Sequence, residues 1–314
     1  MSAQNTTLKV FHSIAEFQKV KGAVVTTGTF DGVHVGHRKI IDRLNEIAKK
    51  VNGESVLLTF HPHPRMVLFP DDHGLELITT MEEKIELLEE AGVKNLIIHP
   101  FTKEFSRTTS LDFIRDILVD KLGTSVLVIG YDHHFGRNRE GSFEHLRESG
   151  PLYGFRVEEI SVQDVDDVAV SSTKIRKALQ DGDVLTASKY LAHRYQLSGT
   201  VIHGDKLGRE LGYPTANIKV DDETKVIPAN GVYACYVYVA GNKFNGMLNI
   251  GNRPTVNGQV RRIEVNIFDF DEGLYGKQIS LELKDRIRDE KKFENVEELK
   301  TRLAIDKNLA EGIL

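Results

Sequence analysis

Near residue 195 the hydrophobic rhythm of the chain changes, and that change limits the folds open to it. From residue 23 to about 190, strand-like runs alternate with amphipathic helices: AVVTTG, a helix from Gly36, SVLLTF, a helix from Thr80, NLIIHPF, a helix from Ser110, then SVLVIG. Near-continuous apolar strands separated by helices predict a parallel sheet wrapped by helices, an α/β domain whose ligands bind at the carboxyl ends of the strands. From about Leu197 to Arg288 the runs are short and alternating, GVYACYVYVAG, KFNGMLNIG, IEVNIFDF and QISLELKDRI, with Gly, Asn, Asp and Pro between them. That pattern predicts a small antiparallel barrel, followed by a helix over Val296 to Leu309. The change falls between residues 192 and 197, so the expected domains are 1–190 and 191–314. A chain of 314 residues is long enough for two separate cores.

Composition narrows the function classes. Hydrophobic content of 40% and charged content of 28% are ordinary for a globular protein, and a net charge of -5 argues against coating nucleic acid, so any phosphate must be held locally. The single cysteine, Cys235, excludes an internal disulfide framework; set in an apolar strand, it is expected to be buried rather than nucleophilic. The N-terminal MSAQNTTLKVFHS has no apolar signal core, and no run approaches the ~18 apolar residues of a membrane span. The expected setting is cytoplasmic, with no membrane partner.

Thr26 to Ile41, TTGTFDGVHVGHRKII, places His34 and His37 where an apolar strand turns into a helix. The Asp31–Gly32 turn starts that helix near Val35 or Gly36, with its N–H groups directed from the strand's carboxyl end, an anion site by construction. FHPHPR after the second strand, GYDHHFGRNREG after the fourth and VSSTKIRKAL after the last strand-like segment are expected on the same rim. Each has a plainer reading. His61 and His63, between Pro62 and Pro64, are better suited to positioning than to catalysis. Of His133 and His134, at most one faces a ligand if the segment is extended. Ser171 and Ser172 are default helix caps, although Lys174 and Arg176 add positive charge to that helix start. The histidines also allow a zinc site, but their spacing matches no HExxH or CxxC framework.

GTFDGVHVGH resembles the HxGH signature of the nucleotidylyltransferase superfamily, and with FHPHP, GYDHHFG and SSTKIR it resembles the bacterial FAD synthetase family in particular. HGDKLGRELGYPTANI, GVYA, NIGNRPT and EVNIFDFDEGLYG resemble the riboflavin kinase module that follows the transferase in the bifunctional bacterial enzymes. The resemblance implies a Rossmann-like α/β nucleotidylyltransferase domain followed by a β-barrel kinase domain with a C-terminal helix. It implies FMN, riboflavin and ATP as substrates and Mg²⁺ as cofactor.

Residue by residue, the resemblance implies charge stabilisation by His34 and His37, and ATP contacts from Gly28, Phe30, Asp31, Ser171, Ser172, Thr173, Lys174 and Arg176. Lys174 or Arg176 would meet the leaving pyrophosphate. It implies flavin contacts from His61, His63, Asp132 and Phe135, and leaves His133 and His134 without a role. In the second module it implies ATP contacts from Gly204, Lys206, Gly208, Arg209, Gly212 and Pro214, and metal ligation by Thr215 and Asn217. Hard oxygens of that kind suit Mg²⁺, and a Gly-rich loop brings backbone donors to phosphates. Glu264, which read alone is a solvent-facing strand residue, becomes the base for the ribityl hydroxyl. Arg288 is either a flavin or phosphate contact or a solvated rim residue. Two rival readings remain: a transferase of the same superfamily with a non-catalytic barrel, and a flavin-sensing protein without turnover.

Overall fold

The computed structural model describes residues 7–71, 74–130, 135–137, 140–160, 170–204, 207–255 and 258–314. Asp132, His133, His134 and Lys206 lie outside them. By contacts the chain divides into two compact units, one of residues 1–75 and 81–171, the other of residues 76–80 and 172–314.

In the first unit the strands are β1 (Lys9–Phe11), β2 (Ala23–Thr27), β3 (Ser55–His61), β4 (Asn95–Pro100), β5 (Thr124–Gly130) and β6 (Arg156–Ile160). They form one sheet in the order β1-β4-β3-β2-β5-β6, with every neighbouring pair parallel. Helices α1 (Val35–Lys50), α2 (Pro64–Leu68), α3 (Met81–Glu90), α4 (Ser110–Asp112) and α5 (Phe143–Tyr153) lie between strands. The strand order reverses between β2 and β5, the switch point at which such sheets bind ligands.

Alternation along β2 sends Ala23 and Val25 into a cluster with Phe113, Ile114, Leu127 and Phe155, and Val24 into a cluster with Leu44, Ile47 and Ala48 of α1. The sheet is therefore covered on both faces, which is why its strands read as unbroken apolar runs. The helix expected from Ser110 departs from the α form: after α4 the chain winds as a π-helix over Phe113–Lys121. Its i+5 spacing is seen where the Leu122 N–H donates to the Ile117 carbonyl at 2.9 Å, and it still turns Phe113, Ile114, Ile117 and Leu118 inward.

The second unit opens with α6 (Ser172–Gln180) and α7 (Val184–Leu191) and continues through β7 (Tyr195–Ile202), α8 (Leu207–Glu210), β8 (Ala216–Lys219), β9 (Gly231–Val239), β10 (Asn242–Thr255), β11 (Gly258–Ile267) and β12 (Gln278–Arg288). These strands close an antiparallel barrel in the order β10-β11-β8-β7-β12-β9. The final helix α9 (Val296–Ile313) runs four residues beyond its expected end and packs Leu303 and Ala310 against Ala234, Met247 and Phe268. Cys235 is fully buried in β9, and that burial pushes its thiol pKa up, so it is an inert filler of the core. Residues 76–80 join this unit through the Leu77–Lys225 bridge and the buried Lys225 ammonium, which donates to the Ile78 carbonyl at 2.7 Å.

Candidate active sites

The first site is built on the turn between β2 and α1. Gly28 follows β2, and a Cβ there would stand 3.1 Å from the Phe30 ring, so glycine lets that ring fold back over the strand end. Phe30 and Val33 then take positive φ of +46° and +40°, and Gly32 takes +84°. This compact turn buries Phe30, Asp31, Val33 and His34. His34 caps α1: its Nδ1 accepts from the His37 N–H at 3.4 Å. The two imidazoles stack with centroids 3.6 Å apart, and His37 lies against Phe30 at 4.9 Å.

Protonation follows from these contacts. An accepting Nδ1 places the His34 proton on Nε2. The His37 Nδ1 is sealed from solvent with no hydrogen-bond partner, so its proton also belongs on Nε2, where it is not stranded. Burial, reinforced by His34 and the Lys84 ammonium, holds the His37 pKa well below its usual 6.5. His37 is thus held as a neutral Nε2–H donor, stacked on His34 at the N-terminus of a helix that opens at the switch point.

The remaining candidates of the first module are placed less uniformly. His61 is exposed at the end of β3, and His63 caps α2, its Nδ1 accepting from the Arg65 N–H at 3.2 Å. Phe135 is a core residue, packed on Phe113 at 5.5 Å. Ser171 closes the first unit, whereas Ser172, Thr173, Lys174 and Arg176 start α6 in the second. Thr173 and Lys174 are exposed, and the Arg176 Nε donates to the Glu76 carbonyl at 2.6 Å.

In the second unit a cavity of about 580 Å³ opens beside β8, β10, β11 and α9, and its lining includes Gly208, Thr215, Asn217, Glu264 and Arg288. Register explains the grouping: Glu264 pairs directly with Asn217 of β8 on one side and Asn249 of β10 on the other, so three polar side chains share one face. The Arg262 guanidinium stands 3.9 Å from the Glu264 carboxylate. A Cβ on Gly204 would lie 2.1 Å from the Asn217 amide, and one on Gly208 would lie 2.4 Å from the Tyr213 carbonyl and 3.3 Å from the Thr215 hydroxyl. These glycines are required by close approach rather than by turn geometry. Gly212 has φ +84° with open space around it, Arg209 is exposed, and the Pro214 carbonyl accepts from the Asn266 amide at 2.7 Å.

Arg288 meets neither solvent reading nor a simple rim role. Its Nη2 pairs at 2.7 Å with Asp306, a fully buried carboxylate that also accepts from the Arg302 Nε at 2.9 Å. Asp306 thereby ties α9 to β12 along one wall of the cavity. Sequence reasoning missed Asn249, Arg262 and Asp306 here and Lys84 in the first unit. Alternation from Glu264 along NRPTVNGQVRRIEVNIF reaches Arg262, and Lys84 lies on the stripe it shares with Leu88 four residues on, but neither cue marks a ligand by itself. Among the described residues no group of three or more His, Cys, Asp or Glu is arranged to hold a metal.

The model of the FAD synthetase family matches residues 16–174, and that of the riboflavin kinase family matches residues 191–314. The bifunctional riboflavin kinase/FMN adenylyltransferase of Escherichia coli K12 is 38% identical over 300 residues, covering 95% of this chain and 95% of its own. That of Bacillus subtilis is 36% identical over 304 residues, covering 95% and 94%. A crystal structure described as a macrolide-efflux protein from Streptococcus pneumoniae matches 97% of this chain and 99% of its own, with TM-score 0.88 and 30% identity. In this chain no helix among the described residues is long and apolar enough to cross a membrane. Two matched modules in this order, with identity running through nearly the full length of the relatives, place the chain in the family of bifunctional riboflavin kinase/FMN adenylyltransferases.

Proposed function

We propose that the barrel cavity is where riboflavin is phosphorylated and the β2–α1 turn is where FMN is adenylylated, each with ATP. In the barrel, the ribityl 5′-hydroxyl oxygen bonds to the γ-phosphorus, the bond from that phosphorus to the β,γ-bridging oxygen breaks, and ADP leaves. Glu264 takes the hydroxyl proton, oriented by Arg262. Thr215 and Asn217 offer hard oxygens where Gly204 and Gly208 let the backbone approach them closely, and this fits Mg²⁺. When bound there with ATP, the ion offsets the charge of the transferred group.

At the turn, an FMN phosphate oxygen bonds to the α-phosphorus of ATP as the α,β-bridging bond breaks and pyrophosphate leaves. The nucleophile is already an anion, so no base is required. His34 and His37, as Nε2 donors beside the α1 N-terminus, stabilise the charge that builds on the α-phosphate. Lys174 is assigned to the pyrophosphate; Arg176, engaged with the Glu76 carbonyl, is assigned to shaping that segment. The functional boundary lies near residue 190, and the protein works in the cytoplasm on small molecules.

The cross-strand row of Asn217, Glu264 and Asn249 under two close-packed glycines carries this reading, because it joins a base to metal-type donors in one cavity. Incubation of the full chain with riboflavin and ATP, with FMN and FAD resolved by chromatography, tests it. Both products are expected with Mg²⁺ and neither after EDTA treatment. Binding of riboflavin and ATP without ADP release would overturn it, and restoration of FAD formation by Zn²⁺ but not Mg²⁺ would overturn the metal assignment.

A further inference from the structure

Helix α3 turns Glu83, Lys84, Leu87 and Leu88 toward the interior of the first unit. A lysine there has lost most of its hydration, which is costly unless protein groups replace the water. Lys84 is only 5% exposed, and its Nζ donates to the Thr29 carbonyl at 2.9 Å. The same carbonyl accepts from the Thr59 hydroxyl of β3 at 3.2 Å. Thr29 immediately precedes the turn in which Phe30 and Val33 hold positive φ. Such strain persists only where the surroundings over-determine it, and two donors from two different elements fix this carbonyl.

The charged and titratable groups facing this point are Asp31 in the turn, His34 at its end, His37 on α1 and Lys84 itself. Burial lowers the Lys84 pKa and Asp31 opposes that, while Lys84 contributes to the lowering at His37.

We infer that Lys84 is a positioning residue for adenylyl transfer: by holding the Thr29 carbonyl it sets the turn that aims the His34 and His37 rings. The inference rests on the reading of those histidines as the adenylyl-transfer donors. Its charge has a second consequence, since a cation beside His37 favours the neutral imidazole that donates from Nε2.

The test is Lys84→Met in the full chain, assayed with supplied FMN and Mg·ATP from pH 5 to 9. The expected kcat for FAD formation falls on the order of 10²-fold with KM values changed by less than about threefold, because misaimed donors affect the transition state more than ground-state binding. The acid limb of the profile moves to higher pH, because removing the cation raises the His37 pKa; riboflavin phosphorylation stays within about twofold, and a wild-type circular dichroism spectrum and urea-unfolding transition are the controls for folding of the first unit. Wild-type kcat and an unmoved acid limb would overturn the inference. If Lys84→Met does not fold, Thr59→Val removes the other donor to the same carbonyl: reduced kcat with an unmoved limb supports the inference, and wild-type kcat overturns it. His37→Ala run alongside separates the two levels. Full activity there sinks the histidine reading, whereas its loss beside a wild-type Lys84→Met sinks only the role of Lys84.

Discussion

At the scale of single residues, burial decides chemistry. In the proposed adenylyl transfer His37 acts as a donor, and the environment that keeps it neutral for that role has a cost in acid. Its folded pKa lies below 6.5, so between those values the unfolded chain binds a proton that the folded chain refuses. Stability of the first unit is therefore full above about pH 6.5 and falls as pH drops through the window between 6.5 and the lower folded pKa. Comparing urea unfolding of wild type and His37→Gln from pH 8 to 5 isolates the effect from that of His99, whose pKa burial also lowers. The variant is expected to lose less stability than wild type on acidification; equal slopes would show that His37 is not held neutral. The histidine pair itself was legible in the sequence because strand, turn and helix signals bracket it. Its electrostatic partner was not, since Lys84 is 47 residues from His37 and its burial depends on how α3 docks.

At the scale of elements, register and close approach build the proposed kinase site. Sequence alternation marks β11 as a strand but does not single out β8, and only pairing shows that Glu264 meets Asn217 and Asn249 across the sheet. This is why Glu264 read alone looks like a solvated strand residue. The GDKLGRELGYPTAN stretch shows its glycines plainly, yet what they accommodate, the Asn217 amide and the Tyr213 carbonyl, is a tertiary fact. Gly204→Ala should push the Asn217 amide out of line, because the added Cβ would stand 2.1 Å from it. A misplacement of about 1 Å at a reacting centre costs on the order of 10²-fold. Riboflavin phosphorylation is expected to fall by that order in steady-state assays while adenylylation of supplied FMN is unchanged. A variant whose barrel melts well below that of wild type would mean the glycine serves the fold rather than the site. Arg288 teaches the same lesson: its composition and position suggest a rim contact, and only the arrival of α9 reveals Asp306 as its partner.

At the scale of the whole molecule, the change of periodicity near residue 195 anticipated a parallel α/β sheet and a closed barrel, and both are present. Contacts nevertheless group α6, α7 and residues 76–80 with the barrel, an exchange no local pattern announces. The apolar faces of α6 and α7, Ile175, Leu179, Val184, Ala187 and Leu191, are all buried. A fragment of residues 172–314 keeps these helices but loses the Ile78 carbonyl from Lys225, a charge-assisted bond worth about 2 kcal/mol. It is expected to make FMN and to melt below the barrel of the intact chain; a fragment that stays folded yet makes no FMN would contradict an autonomous kinase. In the other direction, residues 1–190 are expected to convert FMN to FAD and residues 1–171 to fail, because only the longer fragment carries Ser172 to Arg176.

The central claim is that two reactions occur at two independent sites in one chain, and product analysis of paired variants tests it most directly. Glu264→Gln and His37→Ala, each in the full chain with Mg·ATP, are supplied first with riboflavin and then with FMN, and the flavins are resolved by chromatography. Glu264→Gln should leave riboflavin untouched and convert FMN to FAD at the wild-type rate. His37→Ala should turn riboflavin into FMN and stop there, with FAD formation reduced on the order of 10²-fold or more, since one preorganised donor contributes about 3 kcal/mol to the transition state. A folded Glu264→Gln protein that binds ATP but cannot adenylylate supplied FMN would contradict the account, because the two reactions would then share their catalytic groups.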